Sequence, residues 1–445
     1  VKIDVKEGEK SYQRVMEVEI PWEEVADDYE ETVEEFCEDF EMPGFRKGKV
    51  PREVIKRKYG EQLEYQFASD SIDDYYRNAL DQIDEDPVNR ATIESLEFSE
   101  GQPFRFTARF EVEPEASIFN YKQGFTIEHT THEATPADVD DALDDLRERH
   151  ADVEEVEEGA GEGHLLLVDM QQVEPDGTPV IGQKVEDRYI KAGEGVFGGE
   201  NLERLKGATK GETRRVSFQP EDSDETEYYD VSVKKVEEQT LPELNDDFAK
   251  ELDVDAETYD ELRDELQSRI QSHLDEDDQS NLQRQIAQKF VANSEVEVPE
   301  SMIDNYLDML IEDVKRQRSQ GGQEPEIDEK AFKENYRSDA IFNLKWQLIR
   351  KQIIEEEELE ITDEEMEEKI EDIVEQYPEE KRDAVRNLYN NPQYQDRIRE
   401  DILADKAMEH VKSFADIKET RKTTAEVRQE HEARQAAESA IEEVK

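Results

Sequence analysis

The chain has 445 residues, enough for about three domains and more than one buried core. Aspartate and glutamate total 120 against 56 lysines and arginines, a formal charge of -64 that excludes a basic nucleic-acid coater. No run approaches the ~20 apolar residues of a membrane-spanning helix, and the lone Cys37 excludes an internal disulfide or a cysteine-rich zinc ribbon. Residues 1–6 contain no apolar signal core, so a reducing, cytoplasmic setting is expected. With 8% aromatics and clear apolar periodicity, the acidity reads as the solvated surface of folded domains rather than as disorder. Near 1 M salt the screening length falls to about 3 Å, so such a surface suits a salt-loaded cytoplasm.

Tyr12, Arg14, Met16, Val18 and Ile20 alternate and predict a half-buried strand. After Pro21, the residues Val25, Tyr29, Val33, Phe36, Cys37 and Phe40 recur at helical spacing, which puts Cys37 on the core stripe. That helix ends by Met42-Pro43-Gly44. A second opens near Pro51, carries Val54, Ile55, Tyr59, Leu63 and Phe67, and continues irregularly to Leu80. Phe104, Phe106, Ala108, Phe110 and Val112 alternate as a strand packed on both helices, and the unit closes at Glu113-Pro114. Thr135-Pro136 starts a helix through Val139, Leu143 and Leu146. Past the break at residues 159–163 come short strands at 165–168, 189–190, 215–218 and 229–233. A turn at Pro175-Asp176-Gly177 and one helical turn at 201–205 complete that region. Beyond Leu241 the pattern is helical. Leu262, Leu266, Ile270 and Leu274 form one run, and Leu282, Ile286, Phe290 and Val291 a second. Pro299 opens a third, and Thr362 with Glu365 predicts a capping box before Met366, Ile370 and Ile373. Gly321-Gly322 and Pro378 interrupt the pattern, and the polar residues from Asp416 onward are expected to fray.

Between Gly44 and Lys58 stand Arg46, Lys47, Lys49, Arg52, Lys56, Arg57 and Lys58 against one acid, Glu53. In so acidic a chain this basic run points to a docking loop for a polyanion, most plausibly RNA. Gly44 and Gly48 free the backbone, and Phe45 is an apolar residue where a loop needs none. Phosphate contacts position, whereas an aromatic can stack on a base or enter a protein pocket. His129 and His132 resemble a metal pair, but residues three apart on a strand face opposite ways, so no metal is expected. Gly193-Glu194-Gly195 lacks the following Lys-Ser or Lys-Thr of a phosphate loop, and no cofactor is expected.

The segment Met42-Pro43-Gly44-Phe45-Arg46-Lys47-Gly48-Lys49-Val50-Pro51, followed by Tyr59-Gly60, resembles the ribosome-docking signature of the trigger factor family of bacterial chaperones. Phe110-Glu111-Val112-Glu113-Pro114-Glu115, Leu241-Pro242-Glu243-Leu244-Asn245-Asp246-Asp247-Phe248 and Val298-Pro299 follow in that family's order, so the resemblance covers essentially the whole chain. It implies an α+β multidomain protein: an α/β ribosome-binding domain over 1–113, a connector over 114–150 packing with the C-terminal body, and a small FKBP-like antiparallel β domain over 151–238. A large all-α client-binding body with arms follows over 239–415, then a polar tail over 416–445. Gly44, Phe45, Arg46, Lys47 and Lys49 fall at the ribosome-binding positions. Ile373, Tyr377, Val385, Leu388 and Tyr389 fall in a client-binding arm tip, where ordinary interhelical packing is an equal expectation. The implied partners are ribosomal protein and RNA at the tunnel exit and nascent or unfolded polypeptides. Membrane and DNA are not among them, and a weak homodimer off the ribosome is implied.

An X-Pro bond rotates over a barrier of about 20 kcal/mol, which an isomerase lowers by holding the twisted amide in an apolar pocket. The FKBP resemblance implies an aromatic floor for that pocket. Matching Gly193, Gly195 and Lys206-Gly207 without gaps places Asn201 at the floor instead. Tyr189, Phe197 and Tyr229 are left as candidate walls, and the pocket reads as incomplete. The expected function is ATP-independent, ribosome-associated chaperoning. The alternatives are a folding catalyst that is chiefly a prolyl isomerase, and a ribosome-free acidic scaffold for basic proteins, which the basic loop disfavours.

Overall fold

The computed structural model describes residues 1–43, 45–46, 48–219, 226–252, 254–319, 327–389 and 391–442. The chain forms two compact units, one of Val1–Glu128 with Asn281–Lys418 and one of His129–Ser280 with Glu419–Lys445. No described helix is long and apolar enough to cross a membrane.

The N-terminal part of the first unit lays two helices on one face of a four-stranded antiparallel sheet. Strands β1 (Lys2–Glu7) and β2 (Gln13–Ile20) precede helices α1 (Trp22–Asp39) and α2 (Arg52–Leu80), and β3 (Thr92–Glu97) and β4 (Phe104–Glu111) follow. The sheet order is β1-β2-β4-β3. Period-two alternation decides the faces: Met16, Val18, Ile20, Phe104, Phe106, Ala108 and Phe110 are buried. They meet Val25, Tyr29 and Val33 of α1 and Ile55, Leu63 and Phe67 of α2, with Cys37 half-buried beside them. Each such side chain removed from water contributes about 1.5–3 kcal/mol. Arg14 shares the core face of β2 and is accommodated by an ion pair to Glu85 at 2.9 Å. The second helix, expected to be irregular past Phe67, is continuous for 29 residues.

Strand β5 (Phe125–Glu133) leads into the second unit through α3 (Pro136–Arg149), where Thr135 and Asp138 form a reciprocal capping box. Next come β6 (Asp152–Glu155), β7 (Leu165–Val173), β8 (Pro179–Lys191), a short helix α4 (Gly199–Leu205), β9 (Thr213–Phe218) and β10 (Glu227–Thr240). They form an antiparallel sheet of order β6-β10-β7-β8, with β9 also on β10. Its core joins Leu166, Val168, Met170, Ile190, Val231 and Val233 to Leu202 and Leu205 of α4. Helix α5 (Asp246–Glu251), capped by Asn245, packs with Val139 and Leu143 of α3 and with Leu262 and Leu266.

The remainder is mostly helix: α6 (Tyr259–Asn293), α7 (Glu300–Ser319), α8 (Glu329–Glu356), α9 (Asp363–Glu375), α10 (Glu379–Tyr389) and α11 (Pro392–Lys412). The two apolar runs expected at 262–274 and 282–291 belong to the single 35-residue α6. Pro299 does open α7, Thr362 and Glu365 do cap α9, and Pro378 separates α9 from α10, whereas Gly321-Gly322 lies outside the described residues. The tail expected to fray instead forms β11 (Ala415–Thr423), paired with β5, and α12 (Thr424–Glu442). Thr424 Oγ1 donates to Asp138, and Arg428 pairs with both Asp138 and Asp141, so α12 is pinned to α3.

Candidate functional site

The described residues 40–43, 45–46 and 48–50 belong to a loop that is anchored at both ends. Phe40 stacks on Phe36 at 5.0 Å and meets Tyr59 edge-on at 4.8 Å, tying the loop to both helices. The N–H of Gly48 donates to Phe40 O at 3.2 Å, and Val50 is buried at the far end. Gly48 sits at φ 70°, and a Cβ there would meet Glu38 O at 2.7 Å, so only glycine closes the loop at this point. Between the anchors, Phe45 donates its N–H to Met42 O at 3.1 Å while its ring stays 45% exposed, with exposed Arg46 and Lys49 beside it. Gly44 and Lys47 lie outside the described residues.

The basic run divides in two. Arg52 pairs with Glu30 and Glu34 of α1, and Lys56 with Glu30 at 2.6 Å and Glu100 at 2.7 Å. Partial burial opposes the Lys56 charge, but the hydrogen bonds it donates to Glu100 and Glu30 outweigh it and hold its pKa above the ordinary lysine value. These two cations fasten α2 to its neighbours. Among the described residues, Arg46, Lys49, Arg57 and Lys58 make no ion pair, so their charge faces outward.

The second unit separates the three candidate pocket walls. Tyr229 shares the core side of β10 with Val231 and Val233, stacks on Phe218 at 5.1 Å, and donates to Glu227 at 2.9 Å. Phe197 packs half-buried against the same core. Tyr189 pairs with Leu167, one step out of phase with the buried pair Ile190 and Leu166, so it lies on the opposite face, 54% exposed. Asn201 is buried: its amide donates to Val196 O and Ser217 O at 2.7 Å and accepts from the Ser217 N–H at 3.0 Å. It is a polar clamp between α4, β9 and the preceding loop.

At the α9–α10 hairpin the five candidate client residues also divide. Ile373, Val385 and Tyr389 pack on a small core of Ile370, Val374, Ile398 and Ile402. Tyr377 and Leu388 remain exposed, joined by Tyr394, whose ring stands 5.8 Å from Tyr389. Arg386 fixes the hairpin through a bidentate pair with Glu371 at 2.8 and 2.7 Å, and Arg382 caps the end of α9 on Tyr377 O and Glu375 O.

Residues 1–146 match the family model of the bacterial trigger factor protein, and residues 258–413 match the model of the trigger factor C-terminus. A trigger factor of Halothermothrix orenii is 31% identical over 398 residues, covering 85% of this chain and 91% of that one. The chain belongs to the trigger factor family. It is a ribosome-associated chaperone that assists protein folding, with the ribosome and nascent chains as its partners. A trigger factor of Natranaerobius thermophilus is 29% identical over 418 residues, 90% of this chain and 93% of that one. A solved structure titled for promiscuous substrate recognition by the trigger factor chaperone aligns at TM-score 0.45 and 22% identity, over 92% of this chain and 98% of that one. The assignment rests on the sequence matches.

Two features of this trigger factor escaped the sequence reading. Tyr394 was passed over, although Pro392 two residues earlier marks a helix start that would have placed it on an exposed first turn. His132 gives its backbone N–H to Asp278 at 2.6 Å and its ring Nδ1 lies against the same buried carboxylate.

Proposed function

We propose that this chain docks at the ribosomal tunnel exit through residues 40–50, with Gly44, Phe45, Arg46, Lys47 and Lys49 as the contact positions and Gly48 closing the loop. The observation that supports this most is a doubly anchored loop holding an aromatic ring and unpaired cations in solvent on a chain of net charge -64. A ring held in solvent beside unpaired cations offers an apolar contact and phosphate contacts on one surface. Residues 1–113 act as the ribosome-binding domain, and the connector 114–150 with the helical residues 239–415 holds clients. Tyr377, Leu388 and Tyr394 are the client contacts at the hairpin, while Ile373, Val385 and Tyr389 support them from below. Clients bind weakly and leave as they bury their own apolar surface, without ATP, in the cytoplasm.

Residues 151–238 contribute an FKBP-like domain whose isomerase activity is weak. Supporting this, Asn201 occupies the expected floor and spends its amide on the backbone, and Tyr189 stands on the other face of the sheet from Phe197 and Tyr229. Co-sedimentation with ribosomes tests the docking reading. The wild type should pellet in molar potassium chloride and Phe45→Ala/Arg46→Ala/Lys47→Ala should not; equal pelleting would refute it. A proline-limited refolding assay tests the isomerase reading, since holding a chain cannot speed a single X-Pro rotation. A large acceleration would favour the folding-catalyst alternative.

A further inference from the structure

We infer that the outward stripe of α2 formed by Lys58, Gln62, Tyr65 and Ser69, flanked by Arg57, is a second ribosome contact that binds RNA. The inference rests on the docking reading above and extends it along the helix.

The inner side of α2 is committed to structure. Ile55, Leu63, Phe67, Ala68 and Ile72 are buried, and Arg52 and Lys56 are tied to acids of the same unit. Lys58, Gln62, Tyr65 and Ser69 follow at intervals of four, three and four residues, so they share one face of the helix. All four are exposed. None of the four is acidic, while exposed Glu61, one turn from both Lys58 and Tyr65, borders the stripe on the side of Arg57. At 73% exposure Tyr65 is the most exposed aromatic among the described residues, and no ring contact or side-chain hydrogen bond engages it there. Lys58 lies over the Tyr59 ring at 5.7 Å and makes no ion pair, and neither does its exposed neighbour Arg57.

These groups match single-stranded or looped RNA. A tyrosine face accepts an unpaired base, and such stacking is worth about 1–3 kcal/mol per base. Lys58 and Arg57 supply phosphate contacts, and the Gln62 amide can both donate to and accept from a base edge. Lys58 and Tyr65 are about 10 Å apart along the helix axis, a reach over neighbouring nucleotides. Lys58 is the seventh residue of α2, about 9 Å along the helix axis from its start at Arg52.

The test measures ribosome affinity against potassium chloride concentration for the wild type, Arg57→Ala/Lys58→Ala, Tyr65→Ala and Tyr65→Phe, with ultraviolet crosslinking from position 65. Loss of two phosphate contacts should flatten the log-log salt slope by about 1.4–1.8. Tyr65→Ala should weaken binding about tenfold at unchanged slope, Tyr65→Phe should restore it, and the crosslink should fall on RNA. An unchanged slope and affinity in these variants, while Phe45→Ala still loses binding, would overturn the stripe and leave the loop standing. Weakened binding at unchanged slope in Arg57→Ala/Lys58→Ala, with a crosslink to protein, would assign the stripe to a protein partner and overturn the RNA reading. If the wild type itself fails to bind, the docking reading and this inference fall together.

Discussion

Phe40, Met42 and Val50 pack on the core of α1 and α2, while the Phe45 ring between them stays in solvent. Gly48 makes that arrangement possible, and a side chain at φ 70° with backbone oxygen 2.7 Å away should cost about 1–3 kcal/mol. Gly48→Ala is therefore expected to weaken ribosome binding while α1 and α2 keep their helical signal, a split that circular dichroism and pelleting read together. In the second unit, Asn201→Ala leaves the carbonyls of Val196 and Ser217 and the Ser217 N–H without their partner. A loss of about 1–3 kcal/mol should appear as a lower urea midpoint for that unit; an unchanged midpoint would mean that the clamp carries no stability. At this scale the basic run and its lone aromatic were legible, because neither needs tertiary information. Tyr189 was not. Which face of a strand a residue occupies depends on register, and β8 pairs with β7 through two register shifts.

At the scale of the element, capping chemistry was legible and tertiary continuity was not. The Thr362 and Glu365 box was readable from spacing, but the structure adds Lys406, which donates to both Glu365 oxygens. Hydrogen bonds from Lys406 and then from Thr362 hold the Glu365 pKa down to about 2. A carboxyl depressed on folding contributes stability above its unfolded pKa of about 4.3 and loses it as the pH falls toward 2. Hydrogen exchange at α9 should accelerate across that window, and Glu365→Gln should remove the acid-dependent step. Helix α6 reads as two runs because acids fill its middle; only the fold reveals that Asp278 is buried there as the acceptor of His132. The C-terminal tail has no strong apolar period either. Its order comes from pairing with β5 and from Asp138, whose burial opposes its charge but is outweighed by hydrogen bonds from Thr424 and Thr135 and by Arg428. Asp138→Ala should release α12, seen as lost exchange protection over residues 424–434; unchanged protection there would show that β11 alone holds it.

Across the whole molecule, a charge of -64 sets the response to salt. The ion pairs are mostly at the surface, where each is worth about 0–1 kcal/mol, so screening them removes little. Screening the net repulsion gains more. The melting temperature should rise between about 0.1 M and about 2 M potassium chloride; a fall would mean that the ion pairs outweigh the repulsion. The same screening weakens phosphate contacts by a log-log slope of about 0.7–0.9 each, so charge alone is a poor anchor at high salt. If residues 40–50 dock as proposed, the Phe45 ring, whose apolar contact survives salt, carries a growing share of the docking energy. The most direct measurement is ribosome affinity in molar potassium chloride for the wild type and Phe45→Ala. A loss of about tenfold or more in the variant, larger than its loss at low salt, is expected. Equal affinity of the two proteins in molar salt would contradict the account.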